Sequence, residues 1–291
     1  MQKDLNRTLS LFIVLFIYVI ALAVGFVIHK YFSEEGNMIS ILYADIGATI
    51  VVWLFGILLK NSSVYDPYWS IIPPVVFVYW VLLKPSITTI DVLLIIASLV
   101  WGIRLTLNWI IGFTGLDYLD WRYAMLREKN EKLWFFTNLI GINMMPTLIV
   151  FGAMIPAYYS ISSNINSANA LTIIGFIICL GAATIQYISD GQMRRFKQNS
   201  LGTSCIDYGL WRYSRHPNYF GEVSFWWGIW IIQISVLPNL WLTVLGPIFM
   251  TLLFIYISIP MMEKRIEHKE NYNTYKDEVS VIIPWFRKRK I

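Results

Sequence analysis

Long, nearly uncharged apolar runs constrain this chain more than any other feature of its sequence. A membrane-crossing helix needs about 20 mostly apolar residues, and eight runs approach or exceed that length. They span residues 9–28, 39–59, 69–83, 90–111, 134–158, 168–189, 219–235 and 238–260. Lipid offers backbone N–H and C=O groups no partners, so runs of this length predict helices. We therefore expect an all-α fold, a bundle of seven or eight transmembrane helices.

The third run differs from the others because it is short and contains Pro73 and Pro74. Proline removes a backbone donor and clashes with the preceding turn, so we expect this segment to be broken or re-entrant. Residues 235–238 alone separate the last two runs, which should form a helical hairpin. The sequence shows no internal repeat and no long linker, and it predicts a single membrane domain over residues 1–291.

The positions of Lys and Arg predict how this bundle is oriented. Eight crossings place both termini, Lys60 and the segments 112–133 and 190–218 on one side of the membrane, and these hold twenty of the 23 basic residues. Only Lys30 and Lys84 fall on the other side. Basic loops are retained in the cytoplasm. We therefore expect a multi-pass protein with both termini cytoplasmic, in the plasma membrane of a prokaryote or the endoplasmic reticulum of a eukaryote.

Composition also limits the partners and the chemistry. Topology and anionic lipid explain the net charge of +5, so the bilayer is an expected partner and nucleic acid is not. Cys179 and Cys205 do not suggest a disulfide framework. The three histidines lie far apart, and no cluster has the spacing of metal ligands. We therefore expect no metal, which makes a metal-dependent hydroxylase or desaturase an unfavourable assignment.

Polar residues recur on one helix face where the sixth run ends, in the stretch IQYISDGQMRRFKQ. Gln186, Asp190, Arg194 and Lys197 follow helical spacing and therefore share a face. An amide and a carboxylate followed by two cations suit a ligand that carries ribose hydroxyls and phosphates. The plain alternative is a cytoplasmic helix end with ordinary topogenic cations, and this alternative is the better explanation for Arg195.

The stretch SRHPNYFGE predicts the start of a helix that can bind an anion. Pro217 suits a first helical turn, and the free N–H groups of a helix N-terminus attract phosphate. Arg212 and Arg215 precede this turn and can bind phosphate bidentately. The alternatives are a snorkelling interfacial cation for Arg212 and a helix-capping residue for His216, which is as good an explanation as a ligand role.

Asn218 and Glu222 follow in the same stretch, four residues apart and therefore on one helix face. Glu222 lies a turn inside the apolar run, where an idle carboxylate is costly. An amide and a carboxylate at this depth can hold a polar part of a ligand. We expect these two residues to contact such a ligand.

The front half offers three possible proton donors near the membrane boundary. Tyr65, Asp66 and Tyr68 stand in NSSVYDPYWS, between the second and third runs. Interfacial aromatic belts explain the tyrosines without any chemistry, but they explain Asp66 less well. Asp45 and Arg104 are ionisable residues inside runs. An ion pair between these two would be a structural explanation for both.

The C-terminal segment PMMEKRIEHKENYNTYKDEVSVIIPWF continues the last run as an amphipathic helix with alternating charge. A solvated or lipid-surface helix is the plain interpretation of its lysines. Tyr272, Tyr275 and the final IIPWF suggest instead that the segment folds back onto the cytoplasmic face.

Taken together, these motifs resemble the C-terminal half of the steroid 5-alpha-reductase superfamily. The resemblance rests on GLWRYSRHPNYFGE, on SDGQMRRF before it, and on MMEKR, two tyrosines and IIPW after it. DPYWS, WGIRL and DYLDWRY are similar to a large branch of uncharacterised multi-span proteins in that superfamily, so the likeness runs from about residue 60 to the end. RHPNY alone also resembles other sterol reductases.

The resemblance implies an NADPH-dependent reductase of carbon–carbon double bonds in a steroid- or isoprenoid-like substrate. Residues 134–291 would bind the cofactor on the cytoplasmic side, and residues 1–133 would provide the substrate side. The positions that match the family's cofactor-lining stretch are Asp190, Arg194, Lys197, Tyr213, Asn218, Glu222 and Arg265. Lys197 stands where an arginine is common, and Gln186 where steroid reductases have asparagine. The Glu and Tyr that polarise the substrate carbonyl in steroid reductases have no evident match here.

The chemistry of such a reaction agrees with the residue pattern. NADPH carries a 2′-phosphate and a pyrophosphate, which call for the basic cluster and the helix terminus. No G-x-G-x-x-G follows a strand, so we expect no Rossmann domain. Hydride attack on a conjugated alkene needs a donor at the carbonyl oxygen, and Asp66, Tyr65 and Tyr68 are the candidates.

Two other functions fit parts of the pattern. Membrane methyltransferases of the isoprenylcysteine and phospholipid type use S-adenosylmethionine and share a similar RHPxYxG stretch and tail. Asn218 and the SDGQMRRF face favour the reductase over this class. A non-catalytic lipid or sterol binder would not need so many residues suited to phosphate.

Overall fold

The computed structural model describes residues 6–129, 131–200 and 202–288. Within these ranges the chain is helical and contains no β-strand. The helices are α1 (Arg7–Tyr31), α2 (Asn37–Leu58), α3 (Tyr68–Leu82), α4 (Thr89–Gly112), α5 (Trp121–Lys129), α6 (Glu131–Ser162), α7 (Ala170–Asn199), α8 (Pro217–Val236), α9 (Pro238–Ile266) and α10 (Tyr272–Glu278). Short 3-10 turns at Ser33–Glu35, Ser62–Tyr65 and Gly209–Arg212 lie between them. The prediction of an all-α fold without a Rossmann domain is confirmed.

Six of the described helices, α1, α2, α4, α6, α7 and α9, are long and apolar enough to cross a membrane. They expose large apolar side chains such as Phe12, Phe16 and Val27. Exposure of so many of these side chains is unfavourable in water and is explained by contact with lipid. The chain therefore has the helices of a multi-pass membrane protein. Two predicted spans fall short by these criteria: α3 has only 15 residues, and polar residues such as Glu222 and Gln233 lower the hydropathy of α8.

The third run forms one continuous helix, so the expectation of a break is wrong. Pro73 and Pro74 lie inside α3, and both are buried. At about 1.5 Å per residue, α3 is roughly 22 Å long, which is shorter than the hydrocarbon core of about 30 Å. Buried packing around the two prolines offsets the backbone hydrogen bonds that they cannot make.

The chain divides into two compact units. The first comprises the residues up to Ile87 together with Leu105–Met154, and the second comprises Thr88–Arg104 together with the residues from Ile155 onward. This division differs from a single cut after residue 133. The first two thirds of α4 belong to the second unit, and most of α6 belongs to the first.

In the first unit, small residues bring α1 and α2 together. A Cβ atom at Gly25 would stand 3.2 Å from the carbonyl oxygen of Ala44, so only glycine permits this approach without a shift. Side chains also hold the loops: Arg7 Nε donates to the Phe113 carbonyl at 2.8 Å, and Asn61 Nδ2 donates to the Leu116 carbonyl at 2.6 Å. The first contact holds α1 to the segment after α4, and the second holds the loop between α2 and α3, which carries Asp66, to the same segment.

In the second unit, α7 and α8 approach each other through glycines. A Cβ atom at Gly175 would lie 2.9 Å from the Gly228 carbonyl oxygen, and one at Gly221 would lie 2.8 Å from the Ala182 carbonyl oxygen. Small residues are the usual means by which helices pack closely in lipid, where burial of apolar area gives little driving force. This close packing determines which polar side chains of the two helices can meet.

The C-terminal segment packs back onto the loop that precedes α8, as its tyrosines suggested. Tyr275 donates to the Trp211 carbonyl at 2.7 Å, and the Arg215 amide donates to the Ser280 carbonyl at 2.8 Å. Tyr272 and Tyr275 join a small buried cluster with Cys205 and Val279. The segment is therefore part of the second unit rather than a separate surface helix.

The orientation in the membrane stays a prediction, and the termini themselves, residues 1–5 and 289–291, lie outside the described residues. Both native cysteines are buried. In intact cells or sealed vesicles, Ser200→Cys should resist a membrane-impermeant maleimide until the cytoplasmic side is opened, because basic loops are retained there. Asn164→Cys, in the uncharged 159–169 segment, is the control and should react from outside. Immediate labelling at position 200 with protection at position 164 would reverse the assignment.

Candidate functional site

Three helices of the second unit bring together polar side chains that lie one helical turn apart. Each helix contributes a pair at i, i+3 or i, i+4 spacing, so both members lie on one face. The pairs are Trp101 and Arg104 on α4, Gln186 and Asp190 on α7, and Asn218 and Glu222 on α8. We call these six residues the polar cluster.

One layer of the polar cluster is built around the Glu222 carboxylate, which is only 3% exposed. Its Oε2 accepts hydrogen bonds from Trp101 Nε1 at 3.0 Å and Gln186 Nε2 at 2.6 Å, and its Oε1 accepts one from Trp226 Nε1 at 3.1 Å. The ring of Trp101 stacks on Phe225 with centroids 4.8 Å apart. Three neutral donors therefore hold the carboxylate in one position, which makes Glu222 an organising residue of the cluster.

The other layer is an ion pair with an amide beside it. Arg104 Nη1 lies 3.0 Å from Asp190 Oδ2, and Asn218 Nδ2 donates to Asp190 Oδ1 at 3.4 Å. The hypothesis that Arg104 pairs with Asp45 is wrong, because Asp190 is its partner and Asp45 accepts a hydrogen bond from Tyr68. Sequence distance hid this pairing: 86 residues separate Arg104 from Asp190.

Several atoms of the polar cluster are buried without a hydrogen-bond partner in the described part of the chain. They are the donors Arg104 Nε and Nη2 and the acceptors Gln186 Oε1 and Asn218 Oδ1. A buried polar group left unmatched costs about 1–3 kcal/mol, and native proteins rarely leave several in one place. Unmatched donors and acceptors on three helices that contact one another through hydrogen bonds are features expected of a site for a polar ligand.

The cationic residues predicted to bind phosphate fall into two groups. Arg212, Tyr213, Lys197 and Arg265 are exposed, and Arg194 is partly buried. Arg215 and His216 are buried, at 6% and 3% exposure. The first group is accessible from solution to different degrees, whereas the side chains of the second group are enclosed by the protein.

The buried pair organises the loop before α8 through Glu263 of α9. Glu263 Oε1 accepts from Arg215 Nε at 2.9 Å and lies 2.8 Å from His216 Nε2, and its Oε2 accepts from the Tyr272 hydroxyl at 2.7 Å. Arg215 Nη1 also donates to the Lys276 and Val279 carbonyls. Burial, together with the neighbouring carboxylate, raises the pKa of Tyr272. These contacts give Arg215 and His216 a positioning role at the start of α8.

The first unit holds the candidate proton donors in three different settings. Tyr68 is 2% exposed, and its hydroxyl donates to Asp45 Oδ1 at 2.7 Å. The Tyr65 hydroxyl bonds instead to Thr147 Oγ1 at 2.8 Å. Asp45 and Tyr68 both line a cavity of about 440 Å³ among α1, α2 and α3, and Tyr65 is not among its lining residues.

Asp66 lies outside that cavity, in a cluster with residues of α5. It accepts hydrogen bonds from the Tyr123 hydroxyl and from Arg122 Nη2, the latter at 3.3 Å. Burial raises the pKa of Asp66 to about 6, since desolvation outweighs the opposing effect of the Arg122 guanidinium. Its two partners tie the α2–α3 loop to α5, which is a sufficient structural reason for this carboxylate.

Comparison with known proteins places the chain in a family. The profile of DUF1295, described as a protein of unknown function, matches residues 52–279. That range covers most of the chain and contains the whole polar cluster, Glu263 and Tyr68. No curated protein and no solved structure matches the chain. The chain belongs to the DUF1295 family.

Proposed function

We propose that this protein is an integral-membrane reductase that uses NADPH to reduce a carbon–carbon double bond in a lipid-soluble substrate. The observation that carries the proposal is the set of unpartnered buried atoms in the polar cluster. These atoms are two amide oxygens and two guanidinium nitrogens, and they belong to side chains that bond the Glu222 and Asp190 carboxylates. This arrangement suits a ligand that both donates and accepts hydrogen bonds, and the resemblance to steroid 5-alpha-reductases suggests which ligand it is.

The carboxamide of a nicotinamide ring fits these atoms chemically. Its NH₂ group can donate to Gln186 Oε1 and Asn218 Oδ1, and its oxygen can accept from Arg104 Nε or Nη2. When bound, NADPH supplies a hydride. Asp190 keeps Arg104 and Asn218 in place through the hydrogen bonds already described. Glu222 does the same for Gln186, at 2.6 Å.

The phosphates of the cofactor would be held by exposed or partly buried cations near the same helix ends. Arg194 and Lys197 follow Asp190 on α7, and Arg212 precedes α8. The N-terminus of α8 begins at Pro217 and adds free backbone N–H groups and the positive end of a helix dipole. Arg265 and Tyr213 are also exposed. They are further candidate cofactor ligands, because their positions match the cofactor-lining stretch of the steroid 5-alpha-reductase superfamily.

The proton and the stabilisation of developing charge are assigned to Asp45 and Tyr68. Hydride addition to a conjugated alkene places negative charge on the carbonyl oxygen, which a fixed O–H donor stabilises. If the Asp45 carboxyl holds a proton, it can donate to the Tyr68 oxygen and leave the Tyr68 hydroxyl to donate to the substrate. In steroid reductases a Glu and a Tyr of the front half do this work. Asp45 and Tyr68 are the carboxyl–tyrosine pair that lines a cavity in this chain.

The difference in affinity between NADPH and NADH tests whether these cations bind the 2′-phosphate of the cofactor. Replacing Arg194, Lys197 and Arg212 together by Gln should weaken NADPH binding by at least about tenfold, the equivalent of 1.4 kcal/mol. NADH binding should change much less, because NADH lacks the 2′-phosphate. Kd values from fluorescence titration of the purified protein give the comparison. Arg195→Gln, an exposed cation on the same helix end, is the matched control and should leave both values unchanged.

The same titration separates the rival functions. S-adenosylmethionine binding that depends on Asn218 and Glu222, without NADPH binding, would replace the reductase with a methyltransferase. Binding of neither cofactor, with the protein folded, would favour a lipid or sterol binder. Equal loss of NADPH and NADH affinity in the triple variant would remove the 2′-phosphate role and leave a pyrophosphate role.

A further inference from the structure

The cavity of the first unit has two polar ends. Its lining is otherwise apolar, with residues such as Phe26, Ile41 and Val76. Asp45 and Tyr68 provide one polar pair, and His29 and Tyr79 provide another that the proposed reaction does not use. Buried ionisable groups between membrane helices are costly and mark functional sites more often than not. The second pair therefore calls for an explanation.

A chain of hydrogen bonds fixes the direction in which Tyr79 can bind a ligand. The Ser40 hydroxyl lies 2.9 Å from the Gly36 carbonyl, to which it can donate, and 2.9 Å from His29 Nδ1. On this ground we assign the Nδ1–H tautomer to His29, with Nδ1 donating to the Ser40 oxygen. His29 Nε2 is then an acceptor and takes the proton of the Tyr79 hydroxyl, at 2.5 Å. The Tyr79 oxygen keeps a lone pair but has no proton left to donate. It can bind only a group that donates.

The two tyrosines also set a distance. Tyr68 and Tyr79 are 11 residues apart on α3, which corresponds to about three helical turns, so they lie on nearly the same face. The rise between them is about 16 Å. At one end, the Tyr68 hydroxyl bonds Asp45 and becomes a donor to a ligand when Asp45 carries a proton, as the proposed function requires. At the other end, the Tyr79 oxygen is an acceptor held by the His29 imidazole. The cavity thus has two polar groups of different hydrogen-bonding character, so an elongated ligand with two different polar ends would bind in one orientation.

We propose that this cavity binds an elongated, membrane-soluble molecule with a hydroxyl group at one end and the reducible conjugated carbonyl at the other. The terminal hydroxyl donates to Tyr79, which makes Tyr79 a specificity-determining residue. The apolar walls contact the hydrocarbon between the two groups. The identity of the Tyr68 end rests on the proposed function; the hydroxyl preference at Tyr79 rests on the hydrogen-bond chain alone.

Three matched probes test this preference. They are linear twelve-carbon α,β-unsaturated methyl ketones that end in a hydroxyl, a methyl ether or a methyl group, and equilibrium binding is measured in lipid nanodiscs. Wild-type protein should bind the hydroxyl probe about tenfold more tightly than the other two, as expected for one buried hydrogen bond. Tyr79→Phe should bind all three alike. Tyr43→Phe, a partly exposed tyrosine on α2 that does not line the cavity, should keep the wild-type order.

Ser40→Ala tests the direction of the chain. Without the serine oxygen, His29 can carry its proton on Nε2 and donate to Tyr79, which frees the Tyr79 proton for the ligand. The methyl ether probe, which only accepts, should then gain affinity relative to the methyl probe. Equal binding of all probes by the wild-type protein, or an unchanged order in Tyr79→Phe, would overturn the inference and indicate an ordinary lipid chain in the cavity.

The hydroxyl preference at Tyr79 and the proposed reductase activity can fail independently of each other. NADPH titration and alkene reduction are measured on the same preparations. An intact hydroxyl preference without NADPH binding would remove the reductase and keep the ligand assignment. Normal reduction of all three probes without any preference would keep the reductase and remove the role of Tyr79.

Discussion

Tyr68→Phe should lower the kcat for alkene reduction by about a hundredfold or more, the usual contribution of a positioned proton donor, and should leave the Kd for NADPH unchanged. The substitution removes one oxygen atom from a side chain that is 2% exposed and whose hydroxyl bonds Asp45 Oδ1 at 2.7 Å. The ring, its edge contact with Tyr18 and the cavity wall all remain. Single-turnover and steady-state rates with an enone substrate measure the effect.

Tyr65→Phe is the comparison that decides between the two buried tyrosines. The rings of Tyr65 and Tyr68 lie 5.6 Å apart, but the Tyr65 hydroxyl bonds Thr147 and the residue does not line the cavity. We expect Tyr65→Phe to retain most of the wild-type kcat, with a modest loss of thermal stability. A large kcat loss in Tyr65→Phe with a normal rate in Tyr68→Phe would reverse the assignment of the donor.

Asp45→Asn completes the set, because the amide keeps the size of the side chain but has no acidic proton. If Asp45 supplies a proton through Tyr68, Asp45→Asn should approach the defect of Tyr68→Phe, and the double variant should be no slower than the slower single one. Additive losses would mean that the two side chains act independently. Wild-type rates in all three variants would mean that the reaction takes place elsewhere.

The sequence predicted the helices well because the physical signal for them is local. A run of apolar residues must form its backbone hydrogen bonds within itself in lipid, and each of the eight runs coincides with a helix. Only the expected break in the third run was wrong. That expectation came from the cost of proline inside a helix, which takes no account of tertiary packing. Tertiary burial of Pro73 and Pro74 keeps α3 continuous, and no local pattern reveals such burial.

The candidate site was predictable to the extent that it is periodic. Gln186 and Asp190 share a face, as do Asn218 and Glu222, and the structure joins both pairs through hydrogen bonds. The contribution of α4 was missed, although Trp101 and Arg104 stand three residues apart in WGIRL. Their partners lie 121 and 86 residues away, and spacing along one helix contains no information about a contact with another.

The two residues before α8 also have a long-range partner that the local sequence could not predict. Arg215 and His216 belong to a stretch with the composition of an anion site, which favoured a ligand role for Arg215 and left a ligand role and a capping role open for His216. The feature that distinguishes them from Arg212 is Glu263, which lies 48 residues from Arg215 and 47 from His216. This carboxylate bonds both side chains within the protein, and no pattern along the sequence predicts such a long-range contact.

Asn218→Ala and Glu222→Gln should both reduce turnover by about a hundredfold, the typical cost of misplacing a bound reactant, but only Glu222→Gln should also reduce stability. Asn218 has one long hydrogen bond, at 3.4 Å, and an unpartnered buried oxygen, so its loss disturbs little besides the ligand. At Glu222 both oxygens accept N–H donors. In either orientation, a glutamine would direct its NH₂ group at one of those donors, at a cost of about 1–3 kcal/mol.

Both variants should weaken NADPH and NADH equally, because the two cofactors share the nicotinamide end. The Arg194, Lys197 and Arg212 triple variant should instead weaken NADPH binding more than NADH binding, so the two results together locate the two ends of the cofactor.

Gln233→Leu is the matched control, at a buried polar residue of α8 about 16 Å along the helix from Glu222. It bonds the Leu237 carbonyl and Thr243, so it should affect stability without changing cofactor affinity. Wild-type turnover in Asn218→Ala and Glu222→Gln would place the cofactor away from the polar cluster, because no bound nicotinamide there could be indifferent to both.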